Sequence, residues 1–88
     1  MIIYCETYDD FIFEFDNLIS DGYTWWLGDT DYINFHDQPN GLCLFIDKNK
    51  KKLSWSSHTY AEENHSKAFF HARRKAKLKK LKKLENES

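Results

Sequence analysis

The sequence predicts an α+β domain: a short amphipathic N-terminal helix, a small, mainly antiparallel sheet of three to four strands, and a longer basic C-terminal helix. Three observations carry this. Apolar residues follow a helical period from residue 8 to 20; from residue 23 to 56 short alternating runs and one continuous apolar run are separated by turn residues at short intervals. Beyond residue 67, Ala, Leu, Lys and Arg dominate, all good helix formers. At 88 residues the chain holds one domain at most, read as 1–84 with a frayed tail at 85–88.

The elements follow in order. Residues 2–5, β-branched and aromatic, suit a short strand. Thr7, with Asp10 three residues later, forms a variant capping box, and Asp9 and Asp10 occupy the first turn, where the helix dipole favours acids. A helix therefore runs from Tyr8 to Ser20, with Tyr8, Phe11, Ile12, Phe15, Leu18 and Ile19 on one side and Gly22 as its stop. Phe13 lies opposite that stripe, among Asp9, Asp16 and Asn17.

Tyr23–Leu27 then reads as a strand, Gly28–Asp31 as a turn, Tyr32–His36 as a second alternating strand and Asp37–Gly41 as another turn. The continuous apolar run Leu42–Ile46 fits a central strand, with Ile2–Cys5 free to pair at either edge of the sheet. A lysine-rich reversal leads from it to Leu53–Ser56, expected at an edge. Connections this short disfavour parallel crossovers. Thr59 with Glu62 is a second capping pair, and Asn64 or Ser66 can start the last helix, which must include Ala68–Leu84. On its wheel Phe70, Leu81 and Leu84 cluster with the stems of Arg74 and Lys77, while Phe69, Ala72 and Ala76 form a separate small face expected to meet the sheet.

Charge is divided sharply along the chain. Residues 1–47 hold ten acids and no Lys or Arg, for a charge of -10; residues 48–88 hold all thirteen basic residues and four acids, for +9. Opposite fields of this kind bear on partners more than on fold, although the two halves can also neutralise each other inside one molecule. Cys5 and Cys43 lie in apolar segments and read as small buried hydrophobes, in keeping with a reducing compartment. The N-terminus lacks a basic leader with a cleavage site, and no apolar run approaches the roughly 20 residues of a membrane span, so a cytoplasmic chain without membrane contact is expected.

Motifs for chemistry are sparse. His36, His58, His65 and His71 have no zinc-ligand spacing with one another or with the cysteines, and Asp29-x-Asp31 reads as a solvated turn ahead of a magnesium site. No nucleophile elbow, phosphate-binding glycine loop or dinucleotide fingerprint is present. The expectation is a non-enzymatic protein with no cofactor and no metal.

Two binding readings remain. Carboxylates spaced along a helix and the turns after it can imitate a phosphate backbone towards a basic nuclease channel, with exposed aromatics adding desolvated contacts. That reading selects Asp9, Asp10, Phe13, Glu14, Asp16, Trp26, Asp29, Asp31 and Tyr32. The second reading selects Lys67, Arg73, Arg74, Lys75, Lys77, Lys79, Lys80, Lys82 and Lys83, a helical array that would neutralise DNA or RNA phosphates without sequence preference. Leu78, Leu81 and Leu84 also lie at or past the edge of so small a core, which leaves open a homodimer opposed by the lysines between them, or leucines that fold back on the core or wait for the target.

A helix ending in Gly22, then Tyr23-x-Trp25, Gly28, the strand Leu42–Ile46, a lysine turn and Leu53-x-Trp55-Ser56 resembles the small phage- and prophage-encoded accessory proteins of low-GC Gram-positive hosts. The resemblance covers about residues 7–56. It implies a bacterial host cell and a binding role of the anti-CRISPR or anti-restriction type, in which small acidic proteins inhibit host defence nucleases. It brings no catalytic residues, and the basic C-terminal helix departs from the purely acidic members.

Overall fold

A computed structural model describes residues 1–33 and 40–87, with side chains described up to Lys82. The chain order is β1 (Ile2–Cys5), α1 (Tyr8–Ser20), β2 (Thr24–Trp25), β3 (Leu42–Asp47), β4 (Lys52–Ser57), α2 (His58–Asn64) and α3 (Ser66–Glu87). This is the α+β architecture that the sequence predicts, with a sheet that among the described residues has four strands in the order β1-β3-β4-β2. β3 is central and antiparallel to both β1 and β4.

Side-chain alternation along the strands sorts the core into two layers. Cys5, Leu42, Leu44, Ile46 and Leu53 face α1, which adds Phe11 and Phe15; Tyr23 and Trp25 complete this layer. On the opposite face Tyr4 and Cys43 pack with Ala61 of α2 and with Phe69 and Ala72 of α3. The sheet is therefore sandwiched between an acidic helix and a basic one. Cys5 and Cys43 lie in adjacent strands but on opposite faces, because Cys43 is paired with Tyr4 and Cys5 with Leu42. Both are free, buried thiols whose pKa burial raises, that of Cys43 to about 11.

Local chemistry explains α1 fully. The Thr7 hydroxyl accepts from the Asp10 amide, and the Asp10 carboxylate accepts from the Thr7 amide, both at 3.2 Å. Phe11 and Phe15 stack at 5.2 Å, and Phe15 stacks in turn on Trp25 at 4.9 Å. Gly22, at φ +94°, takes the left-handed turn that ends the helix. Gly41, at φ +89°, has a second constraint: a Cβ there would overlap the Cys5 carbonyl oxygen and lie 2.9 Å from Glu6 Cα.

Several expectations are corrected. The Tyr23–Leu27 strand contracts to Thr24–Trp25, and it pairs parallel with β4. The short-connection argument compared successive strands, whereas β2 and β4 are separated by residues 26–51, which include β3. β4 consequently lies inside the sheet order and not at its edge; among the described residues β1 and β2 are the edge strands. Tyr32 and Ile33 belong to no strand, and the rest of the expected Tyr32–His36 strand and of the Asp37–Gly41 turn lies, up to residue 39, outside the described residues. The segment after β4 forms α2, capped by Ser57, whose hydroxyl accepts from the Tyr60 amide; Thr59 lies inside the helix and does not cap it.

α3 starts at Ser66 and continues through Glu87, past the expected end at Leu84. The face it turns to the sheet is the small one, with Phe69 and Ala72 buried and Ala76 half-buried. Phe70 and Leu81, which the wheel groups with the stems of Arg74 and Lys77, are more than half exposed. Alanines let the helix backbone come close to a sheet; a mixed Phe, Arg and Lys stripe would not.

Candidate binding surface

The two charged helices meet. Lys80 Nζ lies 3.0 Å from Asp10 Oδ2 and 3.4 Å from Glu6 Oε2, and Lys79 Nζ lies 3.0 Å from Glu14 Oε1. Because α1 and α3 occupy opposite faces, these bridges must pass round the sheet, and β1 is the edge strand that both helices contact. Asp10 joins capping and clamping in one group. Its partial burial opposes ionisation, but hydrogen bonds from Lys80 and Thr7 outweigh this and hold its carboxyl below the usual range; Lys80 is raised by its hydrogen bond to Asp10.

This pairing divides the candidate residues. Asp10 and Glu14, and on the other side Lys79 and Lys80, are engaged within the molecule. The remaining acidic candidates are brought into one surface. Tyr32 donates its hydroxyl to Asp16 Oδ1 at 2.8 Å, which also raises the tyrosine pKa, and its ring meets Phe15 edge-on at 5.7 Å. That bond ties the outer face of α1, with exposed Asp9, Phe13 and Asp16, to the loop after β2. The loop is fixed in turn by Trp25, whose Nε1 donates to the Asp31 carbonyl at 2.8 Å and whose amide donates to the Asp29 carbonyl at 3.0 Å.

A shallow groove of about 460 Å³ runs beside this loop, lined among others by Trp26, Asp29, Asp31, Tyr32 and Trp55. Trp26 is 50% exposed, Tyr32 55% and Phe13 64%, which makes three large aromatics on an acidic surface. Lys50 Nζ stands 5.3 Å from the Trp26 ring centre, so the indole already attracts a cation from within the chain. Trp55, in a strand expected at an edge but not among the candidate site residues, is exposed as well. Its exposure follows from the shortness of β2, which no local signal announces.

On α3, Lys67, Arg74, Lys75, Lys77 and Lys82 are exposed and make no ion pair with a described side chain, while Arg73 is half-buried. The Lys83 and Leu84 side chains lie outside the described residues, as does His36. A second groove, of about 710 Å³, lies on the α2 side of β4 and is lined by Phe45, Ser54, Trp55, Ser56, Ser57, Tyr60 and His65. The His65 ring meets Phe45 edge-on at 5.3 Å.

Among the described residues, no group of three or more His, Cys, Asp or Glu side chains is placed to hold a metal ion. No described helix is long and apolar enough to cross a membrane. Comparison of the chain with protein families, curated proteins and solved structures finds no match.

Proposed function

We propose that the protein is a non-enzymatic binding protein of the phage accessory type, acting in a bacterial host cell and inhibiting a nuclease or another nucleic-acid-handling protein. Its contact surface is the acidic aromatic face formed by Asp9, Phe13, Asp16, Tyr32, Asp29, Asp31 and Trp26. The observation that carries this reading is the Tyr32–Asp16 hydrogen bond, which joins two separate acidic segments into one surface with exposed aromatic anchors. Acids supply long-range attraction to a basic channel, and buried aromatics supply the affinity that screened charge lacks.

The experiment is capture of purified nucleases with basic substrate channels, comparing wild type with Asp9→Lys/Asp16→Lys and with Phe13→Ala. Both variants should lose capture and inhibition, the first most strongly at low salt. Inhibition unchanged by either variant overturns the reading. Because Asp10 and Glu14 are clamped by lysines, their substitution is a test of stability and is left out of this comparison.

A second reading has its own observation: five exposed α3 cations without acidic partners among the described side chains. Here α3 binds DNA or RNA phosphates. Arg74→Glu/Lys75→Glu should then abolish a gel shift whose affinity falls steeply with salt. No shift at low ionic strength eliminates it.

A further inference from the structure

The pairing of β2 leaves half of β4 open. In a parallel ladder a residue bonds the two neighbours of its partner. Thr24, paired with Lys52, donates its amide to the Lys51 carbonyl, and the other neighbour facing it is Leu53. Residues of β4 that point towards β2 therefore alternate as Leu53, Trp55 and Ser57. β2 ends at Trp25, opposite Leu53, and among the described residues no strand lies opposite Trp55 or Ser57 on that side. The Trp55 N–H and C=O and the Ser57 N–H thus face outwards along a sheet edge.

The two grooves flank this same edge. One lies on the α1 side and one on the α2 side of the sheet, and both are lined by Ser54 and Trp55. A strand added to β4 would send alternate side chains into them, since neighbouring residues of a strand point to opposite faces. The α1-side groove offers Asp29 and Asp31 with Trp26 and Tyr32; the α2-side groove offers Phe45, Tyr60 and His65.

We propose that β4 binds an extended segment of a partner protein by strand addition at Trp55, with a Lys or Arg of that segment in the acidic aromatic groove and an adjacent apolar residue against Phe45 and Tyr60. This deepens the proposed function and rests on it for the choice of a basic partner, while strand addition itself rests on the backbone. The segment is short: β2 ends at Trp25, opposite Leu53, on one side and α2 begins at His58 on the other. Main-chain bonds supply part of the affinity and the two grooves supply the selection.

The probe is an end-capped six-residue peptide of alternating Arg and Leu, with a Glu and Leu version as control. Two further versions carry N-methyl groups on one or the other alternate set of residues. In a bound strand only one set donates to β4. Methylation of that set should weaken binding by about tenfold or more, and methylation of the other set should change it little. Bound peptide should also slow hydrogen exchange at the Trp55 and Ser57 amides, and Asp29→Asn/Asp31→Asn should weaken the Arg peptide but not the control.

Equal affinities for both methylated sets overturn strand addition and leave the acidic-surface reading standing. Set-selective binding that ignores Asp29→Asn/Asp31→Asn upholds strand addition and overturns the basic partner. Absence of binding at millimolar peptide overturns the proposal outright. So does a dimer of the free protein with protected Trp55 and Ser57 amides, which assigns the edge to a second copy.

Discussion

α1 and α3 carry opposite charge and cover opposite faces of one sheet, yet they are held to it by different physics. α1 has a broad apolar face, reciprocal caps and two stacked phenylalanines continuous with Trp25. On its polar side Asp10 and Glu14 are engaged by Lys80 and Lys79, and Asp9 and Asp16 are exposed. α3 is longer, 22 residues against 13, but its apolar residues are spread round the wheel, and its buried contacts among the described side chains come from Phe69 and Ala72 with support from Ala76. Beyond Ala76 its described attachments to the rest of the molecule are Lys79 and Lys80. Apolar burial is nearly independent of salt and pH, whereas the lysine clamp depends on both. One helix is therefore part of the core, and the other is docked at its start and tethered by charge further on.

The comparison breaks most visibly at the two buried phenylalanines. Phe15→Ala removes a ring stacked between Phe11 and Trp25, and should cost about 3–5 kcal/mol, lowering the unfolding midpoint of every probe together. Phe69→Ala should cost about 3 kcal/mol. It should act unevenly, with amide exchange in α3 accelerating more than exchange in β3 and α1. Equal acceleration throughout would show that α3 belongs to the same cooperative unit as the sheet. Gly41→Ala serves as a control that ignores the helices. The left-handed backbone and the overlap with Cys5 should together destabilise the β1–β3 pairing by about 2–4 kcal/mol in a denaturant titration.

The same difference governs what the sequence disclosed. α1 is legible to the residue, because Thr7, Asp10 and Gly22 are local signals acting within one turn of the backbone. β1, β3 and β4 lie within a residue of the predicted runs, since their alternation or continuity mirrors burial on one or both faces. β2 is different: its length and parallel direction depend on where the chain returns after residue 51, a non-local event. The docking face of α3 is the small one of Phe69, Ala72 and Ala76 that its wheel sets apart, because small residues allow close approach, while the larger Phe70 stays exposed. At the candidate surface, helical spacing groups Phe13 with Asp9 and Asp16, but no local spacing announces the hydrogen bond by which Tyr32 ties the loop after β2 to Asp16. No periodicity could show that Asp10 and Glu14 would be matched by lysines more than 60 residues away.

A smaller effect separates capping from clamping at Asp10. Asp10→Ala removes both the bond to the Thr7 amide and the charge facing Lys80, and should cost about 1–2 kcal/mol. Asp10→Asn keeps an oxygen for Thr7 and removes the charge, so about 0.2–1 kcal/mol is expected, shrinking as salt is raised. Thermal melts at low and high salt check both. If the two variants are equally damaging in high salt, the cap is not formed by this side chain.

The smallest effect is the pH dependence of the clamp, and it has a definite sign at each end. Asp10 has a lowered pKa in the folded chain, so its contribution is present above its unfolded value of about 4 and is lost as pH falls through the lower folded value. Lys80 is raised, so its contribution is present below about pH 10.4 and is lost as pH rises through the higher folded value. Between these limits the clamp is constant. Lys80→Gln should therefore differ from wild type by less than about 1 kcal/mol, a size set by the solvent exposure of both partners. The difference should be flat from about pH 5 to 9.5 and should close towards pH 2. Phe69→Ala, which removes apolar contact alone, should show no such closure. Paired denaturant titrations of the two variants across pH thus read the two halves of α3 separately. A Lys80→Gln difference that persists undiminished at pH 2 would mean that its methylene stem, packed on the edge of the sheet, holds α3 in place of its charge.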